Sequence, residues 1–154
     1  TYSNLRGVGI VIVSHNHSSF TVSSLERSIE FYRDIIGFEV ETIFEATGDG
    51  IQQITTFRGA HLKVAHLLLN GFCLELIQYI VPQGVRLDTS TNNVGSAHIA
   101  FYADDVDATY TDMIAKGVRF KGSPIAGAPG RPRVAYFLDP DDIPLELSEQ
   151  IGES

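Results

Sequence analysis

"HSSFTVSSLERSIEFYRDIIG", residues 17–37, reads as a short strand that passes directly into a helix. Ser23 with Glu26 makes a capping box, and Leu25, Ile29, Tyr32 and Ile36 fall at helical spacing. Gly37 sits where a C-terminal glycine belongs. "FEVETIFEA" (38–46) then reads as a strand and is followed by a polar loop. "HLKVAHLLL" (61–69), a tight Asn70-Gly71 turn and "FCLELIQYI" (72–80) read as a hairpin. With "GVGIVIV" (7–13) also β-like, the first half is β-α-β-β-β.

The second half repeats this order. "SAHIAFYA" (96–103) is a strand, Asp104 is placed to cap "DVDATYTDMIAKG" (105–117), and Gly117 closes that helix. "VRF" (118–120), "RVAYFLD" (133–139) and "IPLELSE" (143–149) supply three more strands. The halves superpose residue by residue: His17 and Phe20 match His98 and Phe101. Gly37 follows His17 by 20 residues, and Gly117 follows His98 by 19. Each half ends in a strand carrying Leu-Glu-Leu, at 74–76 and at 145–147. The repeat also chooses between His15 and His17, which share a face of any regular strand: only His17 has a counterpart, His98. The boundaries are module 1 at about 7–80, a linker at about 81–95 containing "TSTNNVG", and module 2 at about 96–149, all within one domain of 154 residues.

The composition limits the function classes. A formal charge of −8 without a Lys/Arg run argues against nucleic acid. No stretch approaches the ~20 apolar residues of a membrane span, and no signal-peptide pattern is present, so no membrane partner and a cytoplasmic location are the expectations. The single Cys73 excludes an intrachain disulfide and reads as a small buried hydrophobe. A small-molecule substrate is the expected partner.

A strand histidine alone is ordinarily a hydrogen-bonded structural side chain, and a glutamate between leucines is ordinarily a solvent-facing group on an amphipathic strand. The recurrence of the same His and Glu at matching places in two modules points instead to a site for one borderline divalent cation with two histidine and two carboxylate ligands.

"HSSFTVSSLERSIEFYRDIIGF", "LELIQY", "VGSAHIAFYADDVDATYTDMIAKGV" and "RVAYFLDPDDIPLEL" together resemble the vicinal oxygen chelate superfamily, the glyoxalase, bleomycin-resistance and extradiol-dioxygenase fold. The resemblance implies an α+β fold of two tandem β-α-β-β-β modules forming a curved mixed sheet around a metal. Carried over by position, the ligands are His17, Glu75, His98 and Glu146. It implies one divalent ion (Ni, Zn, Co, Mn or Fe) and a homodimer. The implied activity is that of a lyase or isomerase of glyoxalase type, which chelates two neighbouring substrate oxygens and transfers a proton through an enolate. Glu146 is the implied base, and Glu75 the second catalytic carboxylate. The alternatives are an extradiol dioxygenase, a methylmalonyl-CoA epimerase-like enzyme and a non-catalytic resistance protein. The sequence departs from the family at Asp142, where glycine is common and a left-handed turn is expected. Its basic residues also do not match the glyoxalase I pattern, so glutathione is not assumed.

Around the site, Tyr79 shares the strand face of Cys73, Glu75 and Ile77 and is a candidate pocket residue. Arg131 and Arg133, in the Gly/Pro-rich "GSPIAGAPGRPR" (122–133), are candidates to meet an anionic substrate as part of a mobile lip. His15 shares the His17 face of a regular strand, which would set it near the substrate or behind the ligands; the preferred expectation is that it caps the strand start. His61 and His66 face opposite sides of one strand and are read as structural or exposed.

Overall fold

The computed structural model describes residues 12–125 and 129–150. Residues 7–11 of the expected "GVGIVIV" strand lie outside that range, and Ile12 and Val13 are not in a strand. The first strand, β1, spans Ser18–Thr21 and leads to α1, Leu25–Phe31. Ser24 rather than Ser23 is its cap, accepting from the Arg27 backbone N–H at 3.4 Å. Ser23 is diverted by a tertiary contact: its N–H and hydroxyl donate to the Asp141 carboxylate at 2.7 and 2.6 Å. The α-helical ladder also stops early, widening into a π turn over Tyr32–Ile36. The N–H groups of Gly37 and Phe38 both return to the Tyr32 carbonyl, at 3.1 and 3.0 Å. Gly37 closes the turn at φ 97°, a left-handed angle that favours glycine.

Strand β2, Glu39–Ala46, comes next, and the expected polar loop holds a short helix, α2, Asp49–Thr55. β3, His61–Leu69, and β4, Phe72–Val81, form the hairpin. Asn70 and Gly71 both have positive φ, as a two-residue hairpin turn of the mirror-image type requires. That turn sets Leu69 opposite Phe72 and therefore His66 opposite Glu75.

Module 2 repeats the plan with β5, Ile99–Ala103, and α3, Val106–Ala115. β6, Arg119–Phe120, β7, Val134–Leu138, and β8, Pro144–Glu149, complete it. The helix begins one residue later than the sequence predicts, so Asp105, not Asp104, is the cap and accepts from Ala108 N–H at 2.9 Å. Asp142 takes the left-handed φ expected of it, 66°.

The chain is thus α+β, with two tandem modules and two four-stranded mixed sheets of identical order, β1-β4-β3-β2 and β5-β8-β7-β6. In each, the first strand runs parallel to the last. Alternate strand residues point to opposite faces, and one face of each sheet enters a shared buried cluster. Module 1 contributes Leu67, Leu74 and Leu76 and module 2 Phe137, Leu145 and Leu147, with Leu25 and Ile29 of α1 and Met113 of α3 between them. Phe38 packs edge-on against Phe101 across the junction, ring centres 6.0 Å apart.

Polar groups lock the same junction. Tyr32, fully buried, donates to Asp139 at 3.2 Å, and Asp141 receives Arg27 at 2.6 Å beside Ser23. The two modules are therefore back to back, and the faces that do not enter the core point away from each other. No helix among the described residues is long and apolar enough to cross a membrane.

Candidate functional site

Leu74 and Leu76 belong to the core, so the intervening Glu75 stands on the outer face of the first sheet. β1 pairs with β4 so that Ser19 lies beside Glu75, and His17, two residues earlier, takes the same side. Its Nε2 is 3.4 Å from Glu75 Oε1. The second sheet reproduces this step for step. Ala100 lies beside Glu146, His98 is two residues earlier, and its Nε2 is 3.3 Å from Glu146 Oε2. Two donors on one ion about 2.1 Å away are separated by roughly 3.0–3.5 Å, so each pair has the spacing of adjacent ligands. Imidazole nitrogen with carboxylate oxygen is the donor chemistry of a borderline divalent ion. The residues present fit such a group.

The structure brings the four expected ligands together as two pairs. No group of donors among the described residues unites His17 and Glu75 with His98 and Glu146. The back-to-back packing of the modules is the physical reason.

A third residue completes each pair. His66, read from sequence as structural or exposed, is opposite Glu75 in the hairpin and places Nε2 3.0 Å from Glu75 Oε2. Its ring stacks against that of His17, 5.9 Å between centres. The signal was in the sequence: a two-residue turn at Asn70-Gly71 sets this register. In module 2 the same place is held by Tyr136, opposite Glu146. Its hydroxyl is 3.5 Å from His98 Nε2. Burial, then the charge of Glu146 and a hydrogen bond to it, push the Tyr136 phenol above its usual value. It is therefore a proton donor at neutral pH.

Cys73 is half-buried rather than a core residue and stands on the Glu75 face. Burial and then the carboxylates of Glu41 and Glu75 raise its thiol. Tyr79 shares this face, where it and Ile77 pack with Ile51 of α2 against a second buried cluster of Ala60, Leu62 and Val64, and Phe57 meets the tyrosine ring edge-on at 6.0 Å. Tyr79 also lines a cleft of about 910 Å³ with Ser19, Thr21, Arg86 and Val94, and neither His17 nor Glu75 is among the lining residues.

Arg133 does not face the site. Tyr136 and Val134 take the outer face, so Arg133 takes the helix side, where its guanidinium pairs with Asp107 and its N–H donates to Glu149 at 3.2 Å. Arg131 is exposed in the loop, residues 126–128 of which lie outside the described range. His15 contacts the Ser18 hydroxyl at 3.3 Å, at the strand start as expected. His61 pairs with Glu45 at 2.7 Å on the side away from His66.

Residues 14–147 match the family model of the Glyoxalase/Bleomycin resistance protein/Dioxygenase superfamily. A 2-epi-5-epi-valiolone epimerase from Actinomyces sp. is 31% identical over 150 residues, covering 92% of this chain and 81% of that protein. A glyoxalase family protein from Bacillus cereus superposes with a TM-score of 0.84 at 19% identity, over 95% of this chain and 99% of that one. The fosfomycin resistance protein FosX of Listeria monocytogenes has the same fold, with a TM-score of 0.63 at 24% identity, over 94% of this chain and 96% of its own.

Proposed function

The chain belongs to the glyoxalase/bleomycin resistance protein/dioxygenase superfamily, and from that membership we propose that it is a metal-dependent isomerase that moves the α-proton of a hydroxyketone. The observation that carries the reading is the His–Glu pair repeated at the same register in both sheets. The 31% identity to an epimerase, whose named substrate is a ketone, directs the choice among proton transfers.

His17, Glu75, His98 and Glu146 are the residues that would hold a divalent ion, which supplies Lewis-acid stabilisation of negative charge on a carbonyl oxygen. Glu146 takes the proton: the C–H bond breaks, the proton passes to its carboxylate, and the electron pair moves into the carbonyl. Glu75, from the other module and in its acid form at the start of the cycle, gives its proton to the opposite side, which inverts the carbon and leaves Glu75 as the carboxylate. Exchange with solvent resets the two carboxyls. Tyr136, held protonated, donates to Glu146 and fixes its orientation, as His66 does for Glu75. The part-exposed Ile77 and Tyr79 give the Glu75 face apolar surface beside the site.

The four donors meet when two chains associate, with the Glu75 face of one opposed to the Glu146 face of its partner. Twofold symmetry then builds the site twice. The edges of β1 and β5, unpaired among the described residues, and the exposed Phe44 and Tyr102 on these faces supply surface for this contact.

The test is exchange of α-protons into deuterated water, followed across hydroxyketones, hemithioacetals and acyl-CoA thioesters with the metal-loaded protein. Exchange into a hydroxyketone is expected, with a loss of roughly 10²- to 10⁴-fold in Glu146→Gln. Exchange equally fast in that variant places the base elsewhere. Oxygen consumption with a catechol and ferrous iron, in place of any exchange, replaces this reading with a dioxygenase.

A further inference from the structure

The two modules match in their His–Glu pairs but not around them. Two residues before Glu75 stands Cys73, whereas two before Glu146 stands Pro144, and His66 of β3 is Tyr136 in β7. The fold therefore does not require a thiol or a second imidazole at these places. β2 adds a third donor. Its register against β3 slips between Val40 and Thr42, leaving Glu41 as the extra residue of a β-bulge beside His66. A bulge re-aims a side chain that regular alternation would send to the other face. Donor atoms of Glu41, His66 and Cys73 consequently lie within 4.8 Å of one another.

We propose that Glu41, His66 and Cys73 form a second cation site, specific to module 1 and selective for a thiophilic divalent ion such as zinc. Thiolate, imidazole and carboxylate together favour a borderline ion over calcium or magnesium, which take oxygen donors. An ion at 2.0–2.3 Å from each donor holds them roughly 3.3–3.8 Å apart, so side-chain turns of about an ångström close the set. Three protein ligands leave one tetrahedral position for water or a substrate atom. His66 ties the site to the His17–Glu75 pair, because its Nε2 contacts Glu75. An ion here therefore orders the carboxylate that the proposed reaction uses, although the site itself does not depend on that reaction.

Titration of the reduced, metal-free protein with Co²⁺ alone tests this, because a thiolate ligand gives a charge-transfer band in the near ultraviolet. Cys73 is the only cysteine of the chain, and the His17, Glu75, His98 and Glu146 set has no sulfur, so the band reports this site. A saturable band is expected in the wild type and in His98→Ala, and none in Cys73→Ser. Glu41→Gln changes an exposed side chain and should lower the Co²⁺ affinity about 10- to 100-fold with an unchanged far-ultraviolet circular dichroism spectrum. Absence of the band in the wild type overturns the proposal. So does a band of unaltered affinity in both Glu41→Gln and His66→Ala, since the thiol would then be binding by itself. Failure of hydroxyketone exchange with the band intact counts only against the proposed reaction.

Discussion

His66 Nε2 lies 3.0 Å from Glu75 Oε2, directly across the β3–β4 hairpin, while His17 Nε2 approaches the other oxygen of the same carboxylate at 3.4 Å. Glu75 is thus held at both oxygens, one on the expected ligand histidine and one on a residue that fixes its orientation.

Removing that second contact is expected to loosen the carboxylate without unfolding the sheet, since His66 is part-exposed. His66→Ala should weaken divalent-ion binding at the His17–Glu75 pair about 10- to 100-fold, the usual effect of losing a partner behind a ligand. His66→Gln, which restores an N–H donor near the same place, should recover part of the loss. Equilibrium dialysis against zinc checks both, with each variant and its reference carrying Cys73→Ser so that the proposed thiol site does not contribute. Equal affinities in the two variants would show that an N–H donor at position 66 does not support the pair.

The junction between modules makes a prediction about pH. Burial holds the Asp139 carboxyl above the usual carboxylate range, against the opposing pull of the Ile143 and Asp141 N–H groups and the Tyr32 hydroxyl. The folded protein therefore binds this proton more tightly than the unfolded chain does. Its stabilising contribution is complete below the unfolded value of about 3.9 and is lost as pH rises through the higher native value. Urea midpoints of the wild type and of Asp139→Asn should accordingly diverge in favour of the wild type as pH falls from 7 towards about 4. A difference that stays flat or shrinks over that range would contradict the assignment.

Tyr32→Phe removes one donor to Asp139 and keeps the ring in the core. The cost is expected at about 1–3 kcal/mol at neutral pH, because a buried acceptor loses its partner. Chemical denaturation measures it. The far-ultraviolet spectrum should be unchanged, since the π turn is held by the backbone bonds of Gly37 and Phe38 to the Tyr32 carbonyl.

Local signals carried most of the fold. Gly37 and Gly117, the Asn70-Gly71 turn and the alternation around Glu75 and Glu146 act within a few residues, and each was readable from its own segment. So was the left-handed Asp142. The failures came where a distant partner decides. Ser23 is as good a cap as Ser24 until Asp141, 118 residues away, takes its hydroxyl and N–H. The π turn at Tyr32 accompanies a hydroxyl that reaches Asp139 in the other module. Periodicity shows that Leu74 and Leu76 are buried but not against what. It could not say that both modules bury their helix-bearing faces in one cluster and so point their His–Glu pairs apart. His66 is a different case: the hairpin register was available and places it at Glu75.

The separation of the pairs makes the quaternary arrangement testable by activity. If each site joins module 1 of one chain to module 2 of its partner, a Glu75→Ala dimer and a Glu146→Ala dimer are both inactive, because every site in either has lost one carboxylate. Dissociating and mixing them in equal amounts gives heterodimers in half of the population. Each heterodimer has one site with both losses and one with none, so the mixture should recover roughly a quarter of wild-type exchange activity. A site formed within one chain permits no such rescue, as every chain in the mixture carries a lesion. Light scattering on the same samples should show dimers at micromolar concentration. Recovery near a quarter supports the shared site, whereas dimers that remain inactive after demonstrated subunit exchange would require the two modules of one chain to swing together around the ion.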